Sequence, residues 1–186
     1  QRIFDAAKDL GVKKIVVTEC GHAYDALRWT SYNLMEVPAN IEITHIVGLI
    51  GEYINSGKIK LKAGSYDDGI ITFHDACKIQ RRGGHIKEPR QILSILAPES
   101  FKEMTPNKEE AVCCGGGGGV IAIKEADPIR YAAFELKIDQ INKVGAKSVV
   151  MSCSNCRLQY VDCVQHFNLD IKVKGLSQMV ADALEE

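Results

Sequence analysis

Residues 9–20 read DLGVKKIVVTEC, and residues 142–153 read NKVGAKSVVMSC. With a one-residue slip the two stretches carry the same plan: a helix end, a glycine, a lysine, an apolar strand, and a cysteine where the strand stops. The likeness continues downstream. IEITHIVGLIGEYI, from Ile41, resembles LDIKVKGLSQMVADAL, from Leu169, each a short alternating strand followed by a helix. Working outward from these repeats, period and punctuation predict helices over 2–10, 22–35, 46–56, 89–96, 128–144, 155–167 and 176–184. Strands are predicted over 14–18, 41–44, 69–73, 101–104, 147–152 and 169–173. Gly11 and Gly57 stop helices, whereas Pro89 and Pro128 open them. Strands alternating with helices imply an α/β fold, read as tandem Rossmann-like βαβ units with mostly parallel sheets.

The copies are unequal. Residues 1–61 match the C-terminal half of a unit, residues 62–68 (KAGSYDD) read as a linker, and residues 69–186 form the complete second unit. The second copy carries a front half, His74-Asp75-Ala76-Cys77 and Cys113-Cys114-Gly115, that the first lacks. The expectation is therefore a truncated first repeat, and a chain that begins at Gln1 without Met fits a lost N-terminus.

Composition narrows the function classes. The 186 residues are 46% hydrophobic and 25% charged, ordinary globular usage that argues against disorder. Twenty-three basic against 24 acidic residues leave a net charge of −1, with no like-charged block to attract nucleic acid or an anionic membrane. Apolar runs such as Ile46–Ile50 and Val120–Ile123 fall far short of the ~20 residues that cross a bilayer. The N-terminal stretch is charged throughout, unlike a signal peptide. Seven cysteines, an odd number with no secretory signal, imply reduced cytoplasmic thiols, several of them metal ligands.

Five of these thiols form a spaced pattern. Cys77 is followed by 35 residues, the pair Cys113–Cys114, 38 residues, and then Cys153-x-x-Cys156. A Cys-x-x-Cys alone can chelate zinc, work as a redox dithiol or hold an iron–sulfur cluster. The vicinal pair narrows this, because Cα atoms only ~3.8 Å apart with diverging side chains rarely close on one ion. A structural zinc needs four ligands. Five thiols with a vicinal pair suit a polynuclear centre better. Cys153 and Cys156 fall where a strand enters a helix, whose N-terminus stabilises thiolates. Every proline lies upstream of Cys153, which disfavours a thioredoxin-like site. Cys163, two turns beyond Cys156, reads as a core residue.

Gly115–Gly119 fails the Walker pattern, which needs a following Gly-Lys-Ser/Thr, and also fails G-x-G-x-x-G. Beside two cysteines, Gly115 and Gly116 instead let the backbone approach a bulky inorganic core and turn N–H groups toward anionic sulfur. Lys78, Arg81, Arg82, Lys124, Arg130 and Arg157 are the cations available to offset its charge. His74 either donates to a cluster sulfur, protonates a leaving thiolate, or caps a turn.

HDACKIQRRGG from His74, EPRQILSIL from Glu88, AVCCGGGG from Ala111 and SCSNCR from Ser152 together resemble the cysteine-rich "CCG" domain family. Such domains, usually in tandem, occur in heterodisulfide reductases and related iron–sulfur oxidoreductases. The resemblance implies Cys77, Cys113, Cys114, Cys153 and Cys156 as ligands of a noncubane [4Fe–4S] cluster, with zinc as a substitute. It also implies a thiol or disulfide substrate, reduced with electrons from a ferredoxin-like Fe–S subunit or domain. Membrane contact would be only indirect, through partner subunits of a complex on the cytoplasmic face. Two departures stand out. Ala76 replaces the usual Pro after His-Asp, and Cys20-Gly-His-Ala23 replaces Cys-x-x-Cys, which makes the first repeat degenerate. GHAYDALRW resembles subunits of sulfite-reduction-associated membrane complexes, in which Cys20 and His22 would face the remaining cluster as catalytic groups. Cys20 as a structural thiol is the alternative. Two other functions stay open: a structural-zinc docking module, and an electron relay in a hydroxyacid or glycerol-3-phosphate oxidoreductase.

Overall fold

The computed structural model describes residues 1–66 and 69–185; Asp67 and Asp68, at the end of the expected linker, and Glu186 lie outside the described residues. The chain runs through helix α1 (Arg2–Asp9), strand β1 (Lys14–Val17) and helix α2 (Gly21–Asp25). The last continues through a π-type turn (Ala26–Thr30) into α3 (Ser31–Leu34). Strand β2 (Glu42–His45) and helix α4 (Ile46–Asn55) come next, then strand β3 (Ile71–His74), a second π-type turn (Cys77–Arg81) and helix α5 (Lys87–Leu96). Helix α6 (Asp127–Val144), strand β4 (Ser148–Met151), helix α7 (Ser154–His166), strand β5 (Lys172–Gly175) and helix α8 (Leu176–Asp182) follow.

The fold is α/β, as expected. β1 and β2 form a parallel pair, and β3, β4 and β5 form a parallel sheet in that order. The second sheet is covered on both faces, which parallel strands require. One apolar cluster joins Ile71, Phe73 and Val150 to Ile92, Leu93 and Leu96 of α5 and to Leu176, Met179 and Val180 of α8. The other joins Val149 and Met151 to Phe134 and Ile141 of α6 and to Tyr160 and Cys163 of α7. Period-two alternation along Ile-Thr-Phe-His sends Phe73 to the first face and His74 to the second. Val47 and Ile50 of α4 belong to the same cluster as Phe73, so the N-terminal elements pack into the core of the three-stranded sheet.

Two strands differ from expectation. Residues 101–104 form no strand; Phe101 alone bridges Ile71, and Met104 turns into the cluster under α6. The strand predicted over 169–173 begins only at Lys172. Asn168 takes a left-handed conformation (φ 49°), and Leu169 N–H donates to Val164 O, so these residues still close α7. Pro89 sits in the first turn of α5, where an absent N–H leaves no helical bond unmade.

His45 caps α4 from a wholly buried position, its Nδ1 accepting Val47 N–H at 3.3 Å. Burial, aided by the nearby His85, lowers its pKa from 6.5 to about 4. Between those values the unfolded chain binds a proton that the folded one refuses. Stability therefore falls as pH drops through this window, by about 3 kcal/mol from this group. Urea midpoints of the metal-free protein at pH 7 and near pH 4.5 should show the loss. The loss should be smaller in His45→Asn, which keeps a capping side chain.

Candidate metal centre

The carboxyl ends of adjacent parallel strands bring the cysteines together, the usual gathering place in open α/β sheets. β3 ends at His74 opposite Met151 of β4. Cys77 opens the π-type turn just beyond β3, and Cys153 immediately precedes α7, with Cys156 in that helix's first turn. Buried Gln80 ties the two strand ends together: its Oε1 accepts Ala76 N–H at 2.7 Å, and its Nε2 donates to Ser152 Oγ at 2.9 Å. Asp75 is anchored by both terminal nitrogens of Arg90 and by the Lys108 N–H at 2.7 Å. That anchor fixes the turn leading into Cys77.

Cys77, Cys113, Cys114, Cys153 and Cys156 all line one small pocket, with Gly21, His22, Ala76, Lys78, Gly117 and Asn155. Cys114 Sγ lies 3.3 Å from Cys156 Sγ. The larger cleft beside Phe4 and Val37 gathers no thiols. Charge within the set alternates. Cys113, at the exposed mouth, is pushed well down by hydrogen bonds from Cys114 and Cys77 and by the Gly115 N–H. Cys153 is lowered to about 5 by its hydrogen bond from Cys156, with help from the backbone N–H groups of Cys156, Gly21 and Asn155. Cys77 is raised by its bond to Cys113 and by burial, and Cys114 is raised to about 12, chiefly by its bond to Cys113. Cys156 is raised by its bonds to Cys114 and Cys153 and by burial. Hydrogen bonding thus favours thiolate at Cys113 and Cys153 and thiol at the other three, and a metal would displace the remaining protons.

Behind the thiols lies a polar wall. His74 is wholly buried, neither ring nitrogen has a hydrogen-bond partner among the described residues, and it groups with Cys114 and Cys156 as ligand atoms within 4.8 Å of one another. Burial, with the charge of Lys137, lowers its pKa to about 3, so at neutral pH it offers one N–H and is no imidazolium acid. The Tyr160 hydroxyl, also buried, has no partner among the described residues, and its ring packs 5.1 Å from His74. Lys137 is fully buried too; burial lowers it to about 8, against the opposing pull of Cys114, Cys113 and Asp75. Among the described residues it makes no ion pair. Buried polar groups are normally satisfied. Unpaired donors and a lone cation around five thiols fit a group that is anionic and accepts hydrogen bonds, as an iron–sulfur cluster does.

Residues 71–160 match the family model described as a cysteine-rich (CCG) domain, a span that contains all five thiols. The chain carries a CCG cysteine-rich domain. It is 28% identical over 180 residues to a dihydromethanophenazine:CoB–CoM heterodisulfide reductase subunit from Methanosarcina barkeri, covering 97% of this chain and 43% of that protein. It is also 28% identical over 189 residues to the EtfAB:quinone oxidoreductase of Syntrophomonas wolfei, covering 97% and 25%. Similarity to the Hdr-like menaquinol oxidoreductase iron–sulfur subunit 2 of Archaeoglobus fulgidus is 25% over 221 residues, covering 98% and 39%. The chain spans less than half the length of these relatives. No helix among the described residues is long and apolar enough to cross a membrane.

Within the CCG domain, the glycines divide their work. Gly115 N–H donates to Cys113 Sγ at 3.5 Å. Gly116 packs so closely that an added Cβ would come within 2.7 Å of Gln159 Cβ, and its carbonyl accepts Asn155 Nδ2 at 2.8 Å. Their close approach is to helices α6 and α7, whereas Gly117 lines the pocket. Cys163 is buried core, as expected, raised to about 12 by burial.

His22 lines the pocket from an exposed position, its Nε2 accepting Gly118 N–H at 3.3 Å. Cys20 does not line the pocket. Its sulfur turns to its own helix and accepts Ala23 N–H at 3.4 Å as the N-cap of α2. Cys20 thus stands before α2 as Cys153 stands before α7, with Ala23 at the place of Cys156. Most of the expected counter-cations are already neutralised: Lys78 and Arg82 by Asp25, Arg157 by Glu19, and Arg130 by Asp127 and Asp162. Arg81 and Lys124 are exposed. Lys137 and Tyr160 went unnoticed in the sequence. The available signal was a lysine on the apolar stripe Phe134–Lys137–Ile141 of α6, and a tyrosine between Cys156 and Cys163 on α7.

Proposed function

We propose that this chain is the cluster-binding domain of an iron–sulfur oxidoreductase that reduces a disulfide or heterodisulfide. Cys77, Cys113, Cys114, Cys153 and Cys156 would hold a [4Fe–4S] group of noncubane type. The convergence of five thiols, one vicinal pair among them, on a single pocket carries the reading, and the iron–sulfur and heterodisulfide-reductase names of the relatives support it. When bound, such a group supplies one-electron transfers and iron sites with affinity for sulfur. This chain's residues provide the setting. N–H groups of the glycine loop and of the α7 N-terminus favour thiolate at Cys113 and Cys153. His22, exposed at the mouth, would exchange a proton with a substrate sulfur. Gly118 N–H holds its ring. Cys20, occupied as a cap, is assigned to the structure of a degenerate first repeat over residues 1–61. Electrons would come from a ferredoxin-like Fe–S subunit or domain in a cytoplasmic assembly, or in one on the cytoplasmic face of a membrane.

Anaerobic reconstitution with iron and sulfide tests this reading. The expected result is iron and acid-labile sulfide in near-equal amounts, with zinc at background. One zinc per chain without sulfide would overturn it in favour of a docking module. A loaded full-length protein that passes electrons but reduces no disulfide would favour the electron-relay variant.

A further inference from the structure

We propose that Lys137 is the fixed counter-charge of this metal centre and sets its reduction potential, with His74 and Tyr160 as hydrogen-bond donors beside it. The inference rests on the reading of the thiol pocket as an iron–sulfur site. It starts from an anomaly in α6. A lysine occupies a fully buried position on that helix's apolar stripe, where its ammonium meets Gln140 Oε1 at 2.9 Å and, more weakly, Met104 Sδ at 3.9 Å. Neither partner is charged. An ammonium has three donors and, once out of water, is destabilising unless a counter-ion compensates it. Packing alone does not call for it, since methionine has a similar unbranched shape and no charge.

The surroundings supply the reason. Met104, which the ammonium touches, packs in the same buried cluster as Cys114, Cys156 and Tyr160, so Cys113, Cys114 and Cys156, once deprotonated, act on both Lys137 and Tyr160, and Asp75 adds to the pull on Lys137. His74 links the two, lying within 4.8 Å of the Cys114 and Cys156 sulfurs and packing on the Tyr160 ring. The other buried cation nearby, Arg130, is spent on Asp127 and Asp162, and the pocket's own Lys78 is spent on Asp25. Lys137 is thus the unpaired buried cation on the inner side of the five thiols, among the described residues. A fixed positive charge in a poorly screened interior stabilises the more negative, reduced form of whatever the thiols hold. It therefore raises the reduction potential, while in the metal-free protein it is a cost.

That opposition gives the test two independent readouts. Full-length protein is compared with Lys137→Met, Lys137→Arg and Tyr160→Phe, first metal-free by thermal melting, then reconstituted by iron analysis and redox titration. Metal-free Lys137→Met is expected to melt at or above the parent, because a buried unpaired charge has gone. Once loaded, it should show at least a tenfold lower reduced-to-oxidised ratio at the parent's midpoint, equivalent to about 59 mV for one electron. Lys137→Arg should restore most of that ratio, and Tyr160→Phe should shift it the same way by less. Failure of Lys137→Met to take up iron while Lys137→Arg does so would also support the charge. An unchanged midpoint at equal iron content overturns the proposal. So does a metal-free Lys137→Met that melts below the parent, or loss of iron in both variants, since either marks packing as the role of Lys137. If the parent itself takes up no iron, it is the cluster reading that falls.

Discussion

Replacing Cys156 by alanine should leave less than about a tenth of the iron bound after anaerobic reconstitution, whereas Cys163→Ala should retain nearly all of it. The two thiols lie on one helix, and both are buried. Their surroundings separate them. Cys156 touches Cys114 at 3.3 Å, shares a hydrogen bond with Cys153 and lines the pocket. Cys163 lies deeper in the apolar cluster under α6 and accepts the Gln159 amide at 3.2 Å. Cys163→Ala removes one buried sulfur and should lower stability by about 1–2 kcal/mol without affecting loading. Iron analysis beside urea unfolding checks both halves. Equal iron in the two variants would remove Cys156 from the ligand set.

Arg90→Met should be the most destabilising single change outside the core, costing about 3–5 kcal/mol. Arg90 bridges Asp75 and Glu103, and the Asp75 side chain is only 1% exposed. Taking away the guanidinium leaves that carboxylate buried, with the Lys108 N–H as its remaining donor among the hydrogen bonds described. Because Asp75 sits two residues before Cys77, iron loading should weaken as well. A urea midpoint close to the parent's would show that the ion pair contributes little.

The sequence carried the architecture because the signals were local. Apolar runs at strands, glycine stops and proline starts marked most elements to within two residues, and the repeated strand-then-cysteine plan pointed to the edge where the thiols meet. What it hid was partly local and partly a matter of contacts distant in sequence. Asn168, of a residue type that tolerates the left-handed turn, closes α7 and delays β5 to Lys172. The sequence left Cys20 between a catalytic and a structural role, because its partner is a backbone N–H, which nearly every residue has. The obvious cations drew attention, yet most of their charges are cancelled by Asp25, Glu19, Asp127 and Asp162, and of these partners only Asp127, three residues before Arg130, stands at a helical spacing. Lys137 was the opposite case: an ordinary helix residue in composition, made unusual only by where α6 packs.

The pairing of His74 with Met151 across parallel strands also has a consequence for the order of events during synthesis. A nascent chain that has emerged only as far as α6 holds Cys77, Cys113 and Cys114 but neither β4 nor the last two thiols of the pocket. Ends so far apart in sequence meet late, because the entropy of closing the intervening loop is lost before any strand contact repays it. During that interval β3 exposes an apolar, hydrogen-bonding edge, and three thiols are open to oxidation or to a stray ion. Delivery of iron should therefore follow completion of residues 148–156, and a pause in translation between α6 and β4 is where misassembly should concentrate.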